Sequence, residues 1–324
     1  MLAAALNWMI GCASPGGRHG RLSVLIFHRV QARRDELLPD EPTASEFEAQ
    51  LLWLRRGFNV IPLEQGIDGL VRGSLPPRAA AITFDDGYAN NYTVALPILQ
   101  RQALHATFFV STGYLDGGRM FNDTVIESVR AAPGAELDLG HLGLGTVDIS
   151  DAEARRRVID SILGAVKYLD HTRREQAVKR LSEVCGGRLP TDLMMSAEQV
   201  AAIADAGMGV GGHTVSHPIL SSLADDEARD EIRRGRDRLR EICRREISLF
   251  AYPNGRPNRD YSARSVRLVR ELGFKGAVTT SRGAAAIGSD PFQVPRFSPW
   301  TRQPRQATAQ MLRNLLTRAE VAAA

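Results

Sequence analysis

The chain has 324 residues, of which 44% are hydrophobic and 24% are charged, and its formal net charge is +4 at pH 7. This length and composition can bury a large core as one big domain or one and a half. No stretch of about 18 apolar residues is present, which excludes a hydrophobic membrane span. The arginines are scattered along helical patterns rather than gathered in a tract, so nucleic acid is not an expected partner.

Strand and helix patterns alternate along most of the chain. Predicted strands are the short apolar runs 22–27, 58–61, 79–84, 106–110, 208–212, 247–252 and 275–279. One predicted helix begins at Thr43 and another at Ser196, and a further helix-like segment after the strand 58–61 ends at Val71. The other predicted helices are 91–102, 225–245, 261–272 and 306–319. Ser45 is the predicted cap of the first of these helices, Gln199 completes a capping box with Ser196, and Pro97 is expected to bend or shift its helix.

The region from about 118 to 195 breaks this alternation. It contains the helical patterns 122–131, 151–169 and 172–185 and only one weak strand, 136–139. We interpret it as a helical insertion over one face of the sheet. The expected organisation is an unassigned segment 1–20, a domain 21–300 that includes the insertion, and a C-terminal helix within 301–324.

The sequence gives only weak signals for export and for cysteine chemistry. Residues 1–10 are apolar, but they lack the basic start of a secretory signal and the apolar run is short. A cytoplasmic location is therefore favoured, with export or envelope association as the alternative. The three cysteines, Cys12, Cys185 and Cys243, are odd in number and unclustered, which predicts neither a disulfide framework nor a thiolate metal site.

Repeated βα units predict a parallel sheet or a barrel, and barrel enzymes carry their chemistry at the carboxyl ends of strands. Asp85 and Asp86 follow the strand 79–84, and His213 and His217 follow the strand 208–212. One carboxylate and two imidazoles form an open ligand set for a divalent metal. The second carboxylate is then free to act as a base, which predicts a hydrolase.

These residues resemble the metal-dependent polysaccharide deacetylases, the NodB-homology or carbohydrate esterase 4 family. The segment 83–87 matches the family motif T-F-D-D-G, and 213–217 matches H-[ST]-x-x-H. The third motif, R-x-P-[YF]-G, is matched only in part by 251–255, where Ala251 replaces the arginine. The resemblance covers roughly residues 80–290 and implies a distorted (β/α) barrel of about seven parallel strands.

The resemblance also implies residue roles. Asp86, His213 and His217 would hold the metal, usually zinc in this family. Asp85 would be the general base, and the backbone N–H of Asn254 would stabilise the oxyanion. Tyr252, in the same partial motif, is a candidate substrate-binding residue, with a place in the core as the alternative.

Two residues of the family pattern are missing from this sequence, so other residues would have to take their roles. Ordinary members supply their general acid as a histidine near the C-terminus, but no histidine follows His217 here. His28, at the end of the first strand, resembles the acid of the circularly permuted exopolysaccharide deacetylases that act on poly-N-acetylglucosamine. Arg296 is the candidate replacement for the arginine missing at Ala251, with a plain salt bridge as the alternative.

The leading hypothesis is a metal-dependent hydrolase of N-acetyl groups on a hexosamine-containing glycan. The alternatives are an amidohydrolase of a small amide, formamide or ureide and a catalytically dead glycan-binding module. Trp300 could stack on a sugar ring. Asn122 and Asp123 could line the cleft, although a helix N-cap is the favoured interpretation. The sequence predicts no oligomeric state.

Overall fold

The structure is a computed structural model that describes residues 2–169, 171–186, 188–298 and 304–322. Its strands are β1 (Arg21–Phe27), β2 (Asn59–Val60), β3 (Ala79–Phe84), β4 (Ala106–Val110), β5 (Glu136–Asp138), β6 (Thr146–Asp148), β7 (Gly209–Gly212), β8 (Leu249–Ala251), β9 (Gly276–Val278), β10 (Ala285–Ala286) and β11 (Arg296–Phe297). Strands β1, β3, β4 and β8 are buried along almost their whole length, as expected for a parallel sheet covered on both faces.

The main sheet has the order β10-β1-β3-β4-β7-β8-β9. Along the series β1-β3-β4-β7-β8-β9, each strand is parallel to the next. β11 also pairs in parallel with β1, with Val24 opposite Arg296. A single parallel bridge from Val278 to Val294 brings the last segment against β9 as well. The result is a nearly closed barrel of seven parallel strands, which confirms the predicted fold class.

The helices are α1 (Leu2–Ala13), α2 (Ala44–Gly57), α3 (Leu63–Arg72), α4 (Leu96–Arg101), α5 (Phe121–Ala131), α6 (Ala152–Val166), α7 (His171–Cys185), α8 (Ala197–Asp205), α9 (Asp225–Cys243), α10 (Ala263–Glu271) and α11 (Pro304–Leu316). Helix α1, which the sequence left unassigned, packs against α11. No helix among the described residues is both long and apolar enough to cross a bilayer.

One local prediction is corrected by the structure, one is made more detailed and one is confirmed. Thr43, not Ser45, caps α2, because its hydroxyl accepts from the Glu46 N–H while the Glu46 carboxylate accepts from the Thr43 N–H. The helix predicted over 91–102 is a π-helical turn (Asn91–Ala95) followed by α4, with Pro97 in the first turn of α4, where no N–H is needed. The capping box of Ser196 at the start of α8 is present as predicted.

The region 118–195 has a hydrophobic core of its own. Helix α5 packs against α6 and α7, and Val125, Ile162 and Leu181 are fully buried between them. The weak strand predicted over 136–139 exists as β5, but it pairs only with β6 in a separate antiparallel ribbon. The barrel packs its helices around a different set of residues, which includes Phe27, Phe84 and Phe108. The start of α5 meets the barrel near the ends of β1 and β3, where the candidate site lies.

Candidate active site

The carboxyl end of β3 brings two adjacent carboxylates into one cleft. The Asp85 N–H donates to the Phe27 carbonyl at 2.9 Å and extends the pairing with β1. Asp86 then enters the left-handed region with φ of 76°, and Gly87 follows at 94°. A β-carbon on Gly87 would lie 2.9 Å from a methyl group of Val110, so glycine is required at this turn. Strained backbone of this kind clusters at functional sites.

His213 and His217 reach the same cleft from the end of β7. Nδ1 of His213 lies 2.7 Å from the carbonyl oxygen of Ala251. This contact favours the tautomer with its proton on Nδ1, in which Nε2 has a free lone pair. The Thr214 hydroxyl accepts from the His217 N–H at 3.0 Å, and both residues have left-handed φ angles, 66° and 53°. The two imidazole centroids are 4.8 Å apart.

Helix α9 supports this histidine turn, a contact that the sequence did not reveal. Oε2 of Glu231 accepts from the N–H groups of Val215 and Ser216, each at 2.9 Å. Gly235 allows α9 to approach this closely, because a β-carbon there would lie 2.8 Å from the Thr214 backbone. A carboxylate that caps two turn amides on a neighbouring element has no local sequence signature.

Asp86, His213 and His217 together fit a divalent cation. Oδ1 of Asp86 lies 3.4 Å from Nε2 of His213 and 3.5 Å from Nε2 of His217, and all three ligand atoms fall within 4.8 Å of one another. Oδ1 is buried and has no hydrogen bond of normal geometry among the described residues. Burial lowers the pKa of His217 to about 4, so the ring is neutral at pH 7, the form that binds cations. One oxygen and two nitrogens are a common ligand set for zinc.

Asp85 lies beside these ligands and pairs with Arg296. The two side chains form a bidentate ion pair, with Nη1–Oδ1 at 2.6 Å and Nη2–Oδ2 at 2.7 Å. Arg296 is 1% exposed and also donates to the Thr279 carbonyl at 3.0 Å and to the Thr83 hydroxyl at 3.1 Å. Burial acts to raise the pKa of Asp85, but the charge and hydrogen bonds of Arg296, together with the nearby imidazole of His213, lower that pKa overall. Arg296 thus supplies, from β11, a cation next to the predicted base.

His28 and Asn254 line the same cleft. His28 follows β1, and its carbonyl accepts from the Asn91 side chain at 2.8 Å. Asn254 has a left-handed φ of 57°, and its carbonyl accepts from the Thr280 hydroxyl at 2.7 Å. Within the described part of the chain, the Asn254 N–H donates to no protein acceptor.

The placement of Tyr252 contradicts its predicted contact with substrate. Its side chain is fully buried, stacks on Tyr261 at 4.2 Å between ring centroids and donates to the Phe292 carbonyl at 3.1 Å. Tyr252 directly follows β8, and its ring packs on the same side as Phe250 of that strand, in the hydrophobic core rather than in the cleft. Trp300 lies outside the described residues.

Asn122 and Asp123 do not cap α5 as predicted, because Met120 occupies the cap position and no side chain caps that helix. Asp123 is 1% exposed, and its Oδ1 accepts from Arg29 Nη1 and from the Tyr88 hydroxyl, both at 3.3 Å. Sequence reasoning missed Arg29 and Tyr88. The available signal was position, since Arg29 follows His28 and Tyr88 lies two residues after Asp86.

The cleft has a volume of about 440 Å³, within the usual range for small-ligand sites. The barrel contributes six of the predicted residues to its wall, namely His28, Asp85, Asp86, His213, His217 and Asn254. The insertion contributes the opposing elements α5 and α6. Arg296 lies behind Asp85 and does not line the cleft.

Comparison with known proteins agrees with the motifs. The sequence profile of the family described as polysaccharide deacetylase matches residues 72–277. The polysaccharide deacetylase-like protein YxkH of Bacillus subtilis (strain 168) is 20% identical over 268 residues, which cover 82% of this chain and 67% of that protein.

Solved structures share the fold. IcaB from Ammonifex degensii superposes with a TM-score of 0.61 at 20% identity, covering 92% of this chain and 98% of that chain. The deacetylase PplD of Streptococcus pyogenes, solved in complex with acetate, gives a TM-score of 0.59 at 19% identity and covers 91% and 98% of the two chains. The deacetylase domain of BpsB from Bordetella bronchiseptica gives 0.53 at 20% identity, with coverage of 85% and 94%.

Proposed function

Because the chain belongs to the polysaccharide deacetylase family, we propose that it removes N-acetyl groups from a hexosamine-containing polysaccharide or oligosaccharide with a divalent cation, most simply zinc. Family membership makes the chain a hydrolase of carbon–nitrogen bonds. The observation that carries the proposal is the buried oxygen of Asp86, which faces Nε2 of both His213 and His217 and has no other partner among the described residues.

Asp85 is the proposed general base. A divalent cation held by the three ligands lowers the pKa of a water molecule and polarises a carbonyl oxygen. Asp85 is not one of these ligands, yet its Oδ2 lies 4.0 Å from Nε2 of His213, so it is close enough to serve the same water. Since Arg296 keeps the carboxylate ionised and fixes both oxygens, Asp85 can accept the proton of the attacking water.

Arg296 is the proposed positioning residue for that base. Its guanidinium donates hydrogen bonds to Asp85, Thr83 and Thr279, and Arg296 itself does not line the cleft. It therefore acts through Asp85 rather than on substrate. A planar, bidentate partner restricts the carboxylate more than a lysine ammonium could.

Asn254 is the proposed oxyanion donor. Attack on an acetamide carbonyl places negative charge on its oxygen, and an N–H aimed at that position stabilises the charge as it develops. The left-handed backbone at Asn254 leaves its N–H without a protein acceptor among the described residues, and the residue lines the cleft. The side chain of Asn254 has no part in this role.

His28 is the proposed general acid. The glycan amine is a poor leaving group unless it is protonated, so an acid must act after the base. His28 lines the cleft together with the proposed ligands, and a protonated imidazole can donate a proton to a leaving group. Of the seven histidines in the chain, only His28, His213 and His217 line this cleft among the described residues.

The test is acetate release from N-acetylglucosamine oligomers, measured with zinc, with a chelator and with three variants. We expect zinc-dependent release that falls by about 10²–10⁴-fold in Asp85→Asn and in His28→Ala, the usual contribution of a general base or acid. His105→Ala is the matched control, because His105 is also half-buried but precedes β4 at the other end of the barrel.

The outcomes separate the parts of the proposal. Zinc-dependent release that survives His28→Ala would remove the acid and keep the deacetylase. Zinc-independent release would remove the metal. Absence of acetate from every oligomer, with zinc stoichiometrically bound, would replace the glycan with a small amide as substrate.

A further inference from the structure

The first turn of α5 places polar side chains against the barrel side of the cleft. Asp123 is 1% exposed and contacts Arg29 and Tyr88, while the Asn122 side chain donates to the Tyr88 hydroxyl at 3.3 Å. The Arg29 guanidinium also lies over the Tyr88 ring, 4.5 Å from its centroid. All four residues line the cleft, and none of them belongs to the metal ligands or to the proposed base, acid or oxyanion donor.

Three polar atoms of this group have no hydrogen-bond partner among the described residues. They are Oδ2 of Asp123, Oδ1 of Asn122 and Nε of Arg29. Buried polar atoms are almost always paired, so three orphans beside one cavity indicate groups that await a ligand. Two are acceptors and one is a donor, which is the pattern that sugar hydroxyl groups satisfy, because each hydroxyl can both donate and accept.

The charges on this part of the cleft wall balance. Arg29 and Lys167 are basic, whereas Glu41 and Asp123 are acidic, and Asp85 is neutralised by Arg296 behind the wall. A uronic acid would meet Asp123, and a free amine would meet Arg29. A neutral polyhydroxyl ring has neither conflict.

Apolar side chains complete the surroundings of the polar group. Met120, Phe121 and Ile126 from the start of α5 and Leu163 from α6 line the same cleft. A pyranose ring presents hydroxyls at its edge and C–H groups on its faces, so a wall with both kinds of group suits it.

We propose that Asp123, Asn122 and Arg29 form a sugar-binding subsite that takes hydroxyl groups of the hexosamine whose acetyl group is removed. The subsite adjoins the chemistry directly, because Arg29 follows His28 in the chain and Tyr88 lies two residues after Asp86. It therefore contacts the reacting sugar rather than a distant unit of the polymer. This assignment rests on the proposed deacetylase function and extends it to residues of the insertion.

The test compares two acetylated substrates on purified, zinc-loaded protein. One is an N-acetylglucosamine oligomer, and the other is an aryl acetate, which has the acetyl group but no sugar. The variants are Asp123→Asn and Asn122→Ala. Asp260→Asn is the matched control, since Asp260 is also fully buried, has an unpaired Oδ1 and accepts from the Arg256 N–H, but lies outside the cleft.

We expect the ratio of kcat/KM for the oligomer to kcat/KM for the aryl acetate to fall about tenfold or more in Asp123→Asn, chiefly through KM, because an amide group replaces the carboxyl oxygen that would bind a sugar hydroxyl. Asn122→Ala, which removes a neutral acceptor and leaves the buried ion pair intact, should lower the ratio by a smaller factor. Asp260→Asn should leave the ratio at the wild-type value.

Two results would overturn the subsite. One is an equal loss on both substrates in each variant, which would place the effect in the fold or the metal centre. The other is an unchanged ratio in Asn122→Ala, the variant that decides the question if Asp123→Asn fails to fold. Failure of the proposed function looks different, since wild-type protein would then hydrolyse the aryl acetate and release no acetate from any oligomer.

Discussion

Asp85, on the barrel side of the cleft, and Asp123, on the insertion side, are both buried but differ in their contacts with arginine and in the direction of their pKa shifts. Asp85 is 3% exposed and Asp123 is 1% exposed. Burial acts to raise the pKa of both carboxyl groups. At Asp85 the bidentate Arg296 and the nearby imidazole of His213 together overcome that effect and lower the pKa. At Asp123 the single 3.3 Å contact with Arg29 does not, and the charge of Asp86 adds to the effect of burial, so the pKa rises to about 7.

The difference shows that the neighbouring groups, and not depth alone, decide the charge state of a buried acid. At Asp85 both oxygens are held by one guanidinium, so the carboxylate is fixed and ionised. At Asp123 one oxygen has no partner among the described residues. Asp85 is therefore neutralised within the protein, whereas the free oxygen of Asp123 is the atom for which we propose a ligand in the cleft.

The largest expected effect comes from removing the two arginines separately. Arg296→Gln leaves a buried carboxylate without its cation, so we expect the free energy of unfolding to fall by about 3–5 kcal/mol. Arg29→Gln removes a longer, single contact and should cost less than half of that. Urea denaturation measures both, and equal losses would contradict the contrast between the two aspartates.

The two cores can be weakened one at a time by matched leucine substitutions. Leu181→Ala in the insertion and Leu99→Ala in the barrel each remove a fully buried side chain and should cost about 2–5 kcal/mol. We expect Leu181→Ala to raise KM for the glycan and to keep full zinc stoichiometry at 25 °C, because the proposed ligands directly follow the barrel strands β3 and β7. Loss of zinc in Leu181→Ala would show that the insertion also supports the metal centre.

A smaller effect is expected at Asn254, where the proposed role belongs to the backbone. Asn254→Gly accepts the left-handed φ and keeps the N–H, so acetate release should stay within about threefold of wild type. Asn254→Ala should cost roughly 1–2 kcal/mol of stability, because alanine disfavours that conformation. A complete loss of activity in Asn254→Gly would assign the role to the side chain instead.

A separate expected effect is a change in the pH dependence of stability. The pKa of Asp123 is about 7 in the folded protein and about 3.9 in an unfolded chain, so the folded state holds a proton that the unfolded state has released between these values. This contribution is fully present below about pH 4 and is lost as pH rises through about 7. Relative to Asp123→Asn, wild-type protein should therefore lose unfolding free energy between pH 4.5 and 7, and a gain would contradict the raised pKa.

The barrel side could be predicted from sequence because its residues follow strands. In a parallel sheet the carboxyl ends of neighbouring strands meet at one edge, so the residues after β3 and β7 had to meet. Arg296 required a further argument, the absence of an arginine at Ala251, and the structure shows its contact with Asp85. Its role in orienting the base remains a proposal.

The contacts on the insertion side could not be predicted from the sequence, because no comparable rule says which helix residues will meet. Whether Asp123 caps α5 or turns inward depends on how α5 docks on the barrel, which is fixed by contacts with α6 and α7 far along the chain. The same limit hid Glu231, which lies in the middle of the charged helix α9 and yet holds the histidine turn. The Tyr252 error had a different cause, since the sequence did not show whether the side chain that follows the three-residue strand β8 faces the cleft or packs with Phe250 in the core.

The position of β11 limits how the protein can be divided. β11 pairs with β1, and β1 pairs with β3, so the beginning and the end of the catalytic region lie side by side at the cleft. The family similarity spans residues 72–277, which contain Asp85 and the three proposed ligands but neither His28 nor Arg296. A gene fragment trimmed to those bounds would encode the proposed metal ligands without the proposed acid and with Asp85 unpaired. For any recombinant or library design, the indivisible unit runs at least from β1 to β11.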